Sequence, residues 1–138
     1  MKITLNTPTV VDVSDSLIDD IVSGAFEGGI NYWVATTKVT NDGGILYQYG
    51  SEVVSKGGNV GLEIEDLKHA EAESDKKLEY NDGLVILRKT HIIAGLIRYL
   101  EETGGMYVEN GKISDFALDA DSYDAIIQYG LFGKLIFG

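Results

Sequence analysis

The placement of glycine restricts this fold more than any other feature of the chain. There are 17 glycines and a single proline, Pro8, so turns are made with the residue that accepts positive φ without a steric penalty. Each of three stretches with helical apolar spacing runs into glycine. The first opens near Ser14 to Ser16, where Ser16 and Asp19 have capping-box spacing. It repeats Leu17, Ile18, Ile21, Val22 and Ala25 along one face and stops at Gly28-Gly29, a pair suited to a left-handed cap. The second opens with Thr90 as N-cap, buries Ile92, Ile93, Leu96, Ile97 and Leu100, and ends at Gly104-Gly105. The third opens in the cluster Asp119 to Asp124 and carries Ala125, Ile126, Ile127 and Leu131 toward Gly133. Gly130 lies inside this helix, where it costs about 1 kcal/mol relative to alanine and so points to close packing. Ser51 to Lys56 fits a shorter helical turn.

Glycine also marks two hairpins. Leu78 to Tyr80 and Leu84 to Leu87 flank Asn81-Asp82-Gly83, and Met106 to Val108 and Lys112-Ile113 flank Asn110-Gly111. Tyr32 to Thr40 is rich in the aromatic and β-branched residues that suit a pleated surface, and Val60 to Ile64 is a shorter candidate. Val10 to Val13 and Lys134 to Phe137 fit outer strands, while Glu65 to Lys77, around His69, reads as a solvated loop or frayed helical turn. These elements predict an α+β fold: a mainly antiparallel sheet carrying about three helices, in a single domain over 1–138. Ile21, Val22, Ile93, Leu96, Ile97, Ile126 and Ile127 are the expected core.

Composition narrows the function classes. With no cysteine, disulfides, Cys-ligated zinc and thiol nucleophiles are excluded. The first residues, Met1-Lys2-Ile3-Thr4-Leu5, lack a signal peptide's apolar stretch, and no run approaches a membrane span. An unexported chain that does not enter the membrane is expected. The net charge of −11, from 22 acidic and 11 basic residues, repels a phosphate backbone and argues against direct nucleic-acid binding. It leaves two readings, a solvated acidic surface or an acidic face that imitates nucleic acid.

No complete catalytic signature is present. Gly105 to Lys112 has five residues between its glycines where a phosphate loop has four, and Ile113 stands where Ser or Thr must follow. Of the two histidines, His69 sits among glutamates, whereas His91 falls in the first turn of the second helix beside Lys89 and Thr90, where an anion would be favoured. Asp115, Asp119, Asp121 and Asp124 lack the glycine turn of a calcium loop, and Asp121 with Asp124 fits helix capping. No metal and no cofactor is expected. Two segments remain. Glu27-Gly28-Gly29-Ile30-Asn31-Tyr32-Trp33 joins a carboxylate, an amide, a tyrosine and the sole tryptophan to a glycine pair. It can form a stacking wall for a planar ligand, or Trp33 can simply fill core. Gln128-Tyr129-Gly130-Leu131-Phe132-Gly133 places a glutamine in an apolar run, where it needs a hydrogen-bond partner if buried.

These two segments, the second taken from Asp119-Ala120-Asp121 onward, resemble a family of small uncharacterised bacteriophage and prophage proteins. In that family a Glu-Gly-Gly-x-x-Tyr-Trp segment follows the first helix, and the chain closes with an Asp-Ala-Asp…Gln-Tyr-Ala-Leu-Phe-Gly-type helix and a short strand. The similarity is close at both ends and loose in the middle. Gly130 stands where alanine is usual, Lys134 where an acid is common, and the acidic loop is longer. The resemblance implies a viral origin and the host cytoplasm as setting, and it carries no activity with it.

Three functions follow as expectations. The first is a non-enzymatic binder that counters host defence by sequestering a signalling nucleotide or blocking a defence protein. Glu27, Asn31, Tyr32, Trp33 and Gln128 would form its pocket, and Arg88, Lys89, His91 or Arg98 would neutralise phosphate. The second is an acidic nucleic-acid mimic that inhibits a host DNA- or RNA-binding enzyme. The third is a metal-dependent nucleotide hydrolase using Asp119, Asp121 and Glu27. A virion role also fits. Eight tyrosines, glycine-rich turns and apolar strand-like ends predict a homodimer or higher homo-oligomer.

Overall fold

A computed structural model describes residues 1–6, 9–41, 49–114 and 118–138 of the chain. Pro8 and Asp115, Phe116 and Ala117 lie outside the described residues. The chain runs β1 (Lys2–Thr4), β2 (Val10–Asp12), α1 (Asp15–Gly24), a wide turn of π-helical hydrogen bonding (Ala25–Gly29), β3 (Val34–Asn41), α2 (Gly50–Ser55), β4 (Asn59–Ile64) and α3 (Leu67–Glu73). It continues with β5 (Tyr80–Asn81), β6 (Leu84–Arg88), α4 (Lys89–Glu102), β7 (Val108–Glu109), β8 (Lys112–Ile113) and α5 (Ala120–Phe132). The fold is α+β. Its strands divide between two four-stranded sheets, β1-β2-β8-β7 and β3-β4-β6-β5, in which every pair but the parallel β2–β8 is antiparallel.

Both hairpins form at the glycines. Asp82 and Gly83 join β5 to β6 with φ of 51° and 79°, and Asn110 and Gly111 join β7 to β8 with φ of 52° and 73°. Two left-handed residues in a two-residue loop match the right-handed twist of the strands they connect.

Helix starts differ from the sequence expectation in detail. Ser14, not Ser16, caps α1: its side chain accepts from the Leu17 backbone N–H at 3.0 Å. Thr90 lies inside α4. The extended Arg88 precedes that helix, and its N–H donates to His91 Nδ1 at 2.9 Å. Of the two readings of Glu65 to Lys77, a solvated loop or a frayed helical turn, the helical one holds: the segment contains α3, because Asp66 caps it by accepting from the His69 N–H and Ala70 is fully buried. Lys134 to Phe137 joins neither sheet, whereas Lys2–Thr4 pairs with β2 as an outer strand.

One apolar cluster draws residues from both sheets and from α1, α4 and α5. Ile21, Val22, Leu96, Ile126 and Ile127 are in it, while Ile93 and Ile97 are half-buried at its rim and Ile92 and Leu100 take the inner positions. Helices α4 and α5 meet at a glycine from each. A Cβ on Gly95 would stand 1.9 Å from the Ile126 carbonyl oxygen, and one on Gly130 would stand 2.0 Å from that of His91. The absence of both side chains sets how closely the two backbones approach, and that approach places the face of α5 carrying Asp124 and Gln128.

Candidate functional site

Asp124 and Gln128 are four residues apart on α5 and therefore share a face. Beyond the π-type turn, a second turn in which the Trp33 and Val34 N–H groups donate to the Ile30 carbonyl delivers Tyr32 and Trp33 to that face. Trp33 Nε1 donates to Asp124 Oδ1 at 2.8 Å, the Tyr32 hydroxyl donates to Asp124 Oδ2 at 2.5 Å, and Gln128 Nε2 donates to Asp124 Oδ1 at 2.9 Å. Desolvation first, then the Asp124 carboxylate, raise the Tyr32 pKa far above the ordinary tyrosine range. The amide of Gln128, buried as expected of a satisfied polar group, also donates to the Tyr32 hydroxyl at 3.3 Å and bonds the segment after α5. Its Oε1 accepts from the Ile136 and Phe137 N–H groups at 2.8 and 2.9 Å, and Nε2 donates to the Phe137 carbonyl at 3.1 Å.

Tyr32, Trp33 and Gln128, brought together from the two ends of the sequence, thus form one constellation. Trp33 is only 2% exposed. The Phe137 ring is stacked on it at 5.1 Å, and Phe132 is tilted against it at 5.6 Å. A planar ligand reaches the Trp33 face only by displacing Phe137. Tyr32 keeps an exposed ring. Asp124, which the sequence pattern assigned to capping, is instead the shared acceptor; the α5 cap is Asp119, which accepts from the Ser122 N–H at 3.0 Å.

The cationic residues expected beside this pocket are engaged elsewhere. Arg88 pairs with Glu79 at 3.0 Å, Lys89 with Asp15 at 2.9 Å, and Arg98 with Glu102 at 2.6 Å while lying over the Tyr129 ring. His91 accepts from the Arg88 backbone, and burial lowers its pKa, so the neutral form is favoured. Asn31 is exposed and borders a shallow hollow with Phe26 and Val34–Thr37.

Glu27 belongs to a different feature. An open cleft of about 540 Å³ lies between α1 with its π-type turn and α2, lined by Asp19, Ser23, Phe26, Glu27, Tyr49, Gly50, Ser51 and Glu52. Ser23 donates to Glu27 Oε1 at 3.3 Å. Asp19 Oδ1 is shielded from solvent and meets no hydrogen-bond donor among the described residues. Three carboxylates and two aromatic rings line the cleft, and no described lysine, arginine or histidine does. Among the described residues no three carboxylate, histidine or cysteine side chains converge closely enough to hold a metal ion. The geometry suits a cation larger than a metal, such as a guanidinium or an ammonium on a side chain. Sequence reading found Glu27 but not Asp19, Phe26, Tyr49 or Glu52. The i, i+4, i+8 spacing of Asp19, Ser23 and Glu27 was the available signal; the approach of α2 was not.

Among the described residues, no helix is long and apolar enough to cross a membrane. Neither a protein-family model, nor a curated protein, nor a solved structure matches the chain.

Proposed function

We propose that this chain is a non-enzymatic binding protein that grips a basic segment of a protein partner in the cleft between α1 and α2. In the phage setting that its resemblance implies, the partner is a host defence or nucleic-acid-binding protein, whose basic surface the acidic cleft occupies in the host cytoplasm. One observation carries the reading: Asp19, Glu27 and Glu52 share a cleft of about 540 Å³ with Phe26 and Tyr49 and no described cation. Carboxylates on low-dielectric walls focus potential and attract positive charge, and the aromatic rings accept the face of a guanidinium. The chain's net charge of −11 adds long-range steering toward a basic partner.

The test uses an arginine-rich peptide as probe, titrated at two salt concentrations. Asp19→Asn, Glu27→Gln and Glu52→Gln combined should weaken binding at least about tenfold, or roughly 1.4 kcal/mol. A control combining Glu65→Gln, Asp82→Asn and Glu109→Gln changes net charge equally at exposed positions and should leave most of the affinity. Equal losses in the two triple variants would mean that bulk charge, not the cleft, binds the peptide.

A further inference from the structure

After Gly133, held at φ 75°, the segment Lys134–Gly138 returns across the body without joining either sheet. Its peptide groups at 136 and 137 are bound by a single side chain: the Gln128 amide accepts two N–H groups and donates to one carbonyl. Two consecutive N–H groups that converge on one oxygen fold the segment into a compact loop there, because the N–H groups of an extended strand alternate in direction. The Phe137 side chain enters an aromatic box, stacked on Trp33 at 5.1 Å with an interplanar angle of 10°, and edge-on to His69 at 5.8 Å and Phe132 at 6.2 Å. Asp124 holds both Trp33 and Gln128 in place from behind. A fixed amide that reads backbone, beside a box that reads an aromatic ring, has the two parts of a peptide-recognition site.

We propose that this Trp33–Gln128 clasp is a binding site for a looped peptide bearing an aromatic residue, and that in trans it takes the Lys134–Gly138 segment of a second copy of the chain. The occupant follows from self-complementarity. The segment that fits the clasp is the chain's own, and reciprocal exchange makes the same contact twice about a two-fold axis. Gly133 is the hinge, since a change in its backbone angles redirects everything beyond it. Within one copy the linkage holds the segment at an effective concentration on the order of millimolar. Exchange therefore emerges at high protein concentration, or when the hinge disfavours the closed form. Any side chain at 133 does so, because left-handed φ is strained for residues other than glycine. The inference does not depend on the acidic cleft.

The full-length Gly133→Ala variant, refolded at about 1 mM and then diluted, should sediment with a dimer fraction at least about fivefold above that of the unsubstituted chain. Adding Phe137→Ala should abolish that dimer. A dimer fraction no greater than the unsubstituted chain's, or one that survives Phe137→Ala, overturns the proposal. The unsubstituted chain provides a readout that needs no variant to fold. Titration with the pentapeptide Lys-Leu-Ile-Phe-Gly should change Trp33 fluorescence saturably and accelerate exchange of the Ile136 and Phe137 amides at least about tenfold as the cis segment is displaced. The same peptide with alanine for phenylalanine should do neither. Fluorescence and exchange that stay unchanged up to about 10 mM peptide, well above the effective concentration of the cis segment, refute the site as a ligand site.

Discussion

Gly130→Ala sets two physical effects against each other. Helix propensity alone predicts that alanine in the last turn of α5 stabilises the protein by up to about 1 kcal/mol. Packing predicts the reverse. An ideal Cβ at 130 would lie 2.0 Å from the His91 carbonyl oxygen and 2.8 Å from its carbon. Both atoms are backbone of α4, so no rotamer change relieves the contact, and the helices must part by about 1 Å. Overpacking costs about 1–3 kcal/mol and occasionally more; a contact this short belongs near the upper end. The helices it separates carry Ile92, Leu96, Ile126 and Ile127, all fully buried. The net expectation is a loss of roughly 2 kcal/mol, measured as a lower urea midpoint at unchanged m-value. Gly28→Ala is the control: nothing lies within 4 Å of its Cβ position, and its φ of 179° is not left-handed. A neutral or stabilised Gly130→Ala would refute the close crossing of α4 and α5.

Trp33→Ala removes a nearly buried ring and one donor to Asp124 and should cost about 3–5 kcal/mol by denaturant unfolding; a loss under about 1 kcal/mol would place the ring outside the core. Asp119→Ala deletes the α5 cap and should cost about 1 kcal/mol, whereas Asp121→Ala, in the first turn without a capping bond, should cost less. His91 sets a pH dependence. Burial lowers its pKa from the ordinary 6.5, so the unfolded chain takes up the proton first as pH falls. His91 then leaves stability unchanged above pH 6.5, lowers it progressively below 6.5, and stops contributing slope beneath the folded pKa. His91→Asn keeps an acceptor for the Arg88 N–H and should flatten stability between pH 7 and pH 5 relative to the unsubstituted chain, measured by urea midpoints.

Glycine positions and apolar periodicity were enough to locate α1, α4, α5 and both hairpins, because each depends on local chemistry. A left-handed turn needs Asn, Asp or Gly at Asp82-Gly83 and Asn110-Gly111, and a helix face needs spacing such as Leu96 and Leu100. The same locality explains why Tyr32, Trp33 and Gln128 stood out individually: a buried amide and a lone tryptophan are unusual wherever they fall. What each of them touches was decided by tertiary structure. The partner of Trp33 and Gln128 is Asp124, 91 residues from Trp33 in sequence, and it looked like a cap because four aspartates crowd that stretch. The Lys134–Phe137 segment has a strand's composition, yet it pairs with no strand, and the Gln128 amide bonds its peptide groups at 136 and 137. The cleft carboxylates Asp19, Glu27 and Glu52 come from α1, the π-type turn that follows it and α2, which meet only after folding, so their charges add up in space and not along the chain. Periodicity records which face of an element is apolar. It does not record which other face will be pressed against it, and that pairing, set at α4 and α5 by two missing Cβ atoms, fixes the geometry of the clasp.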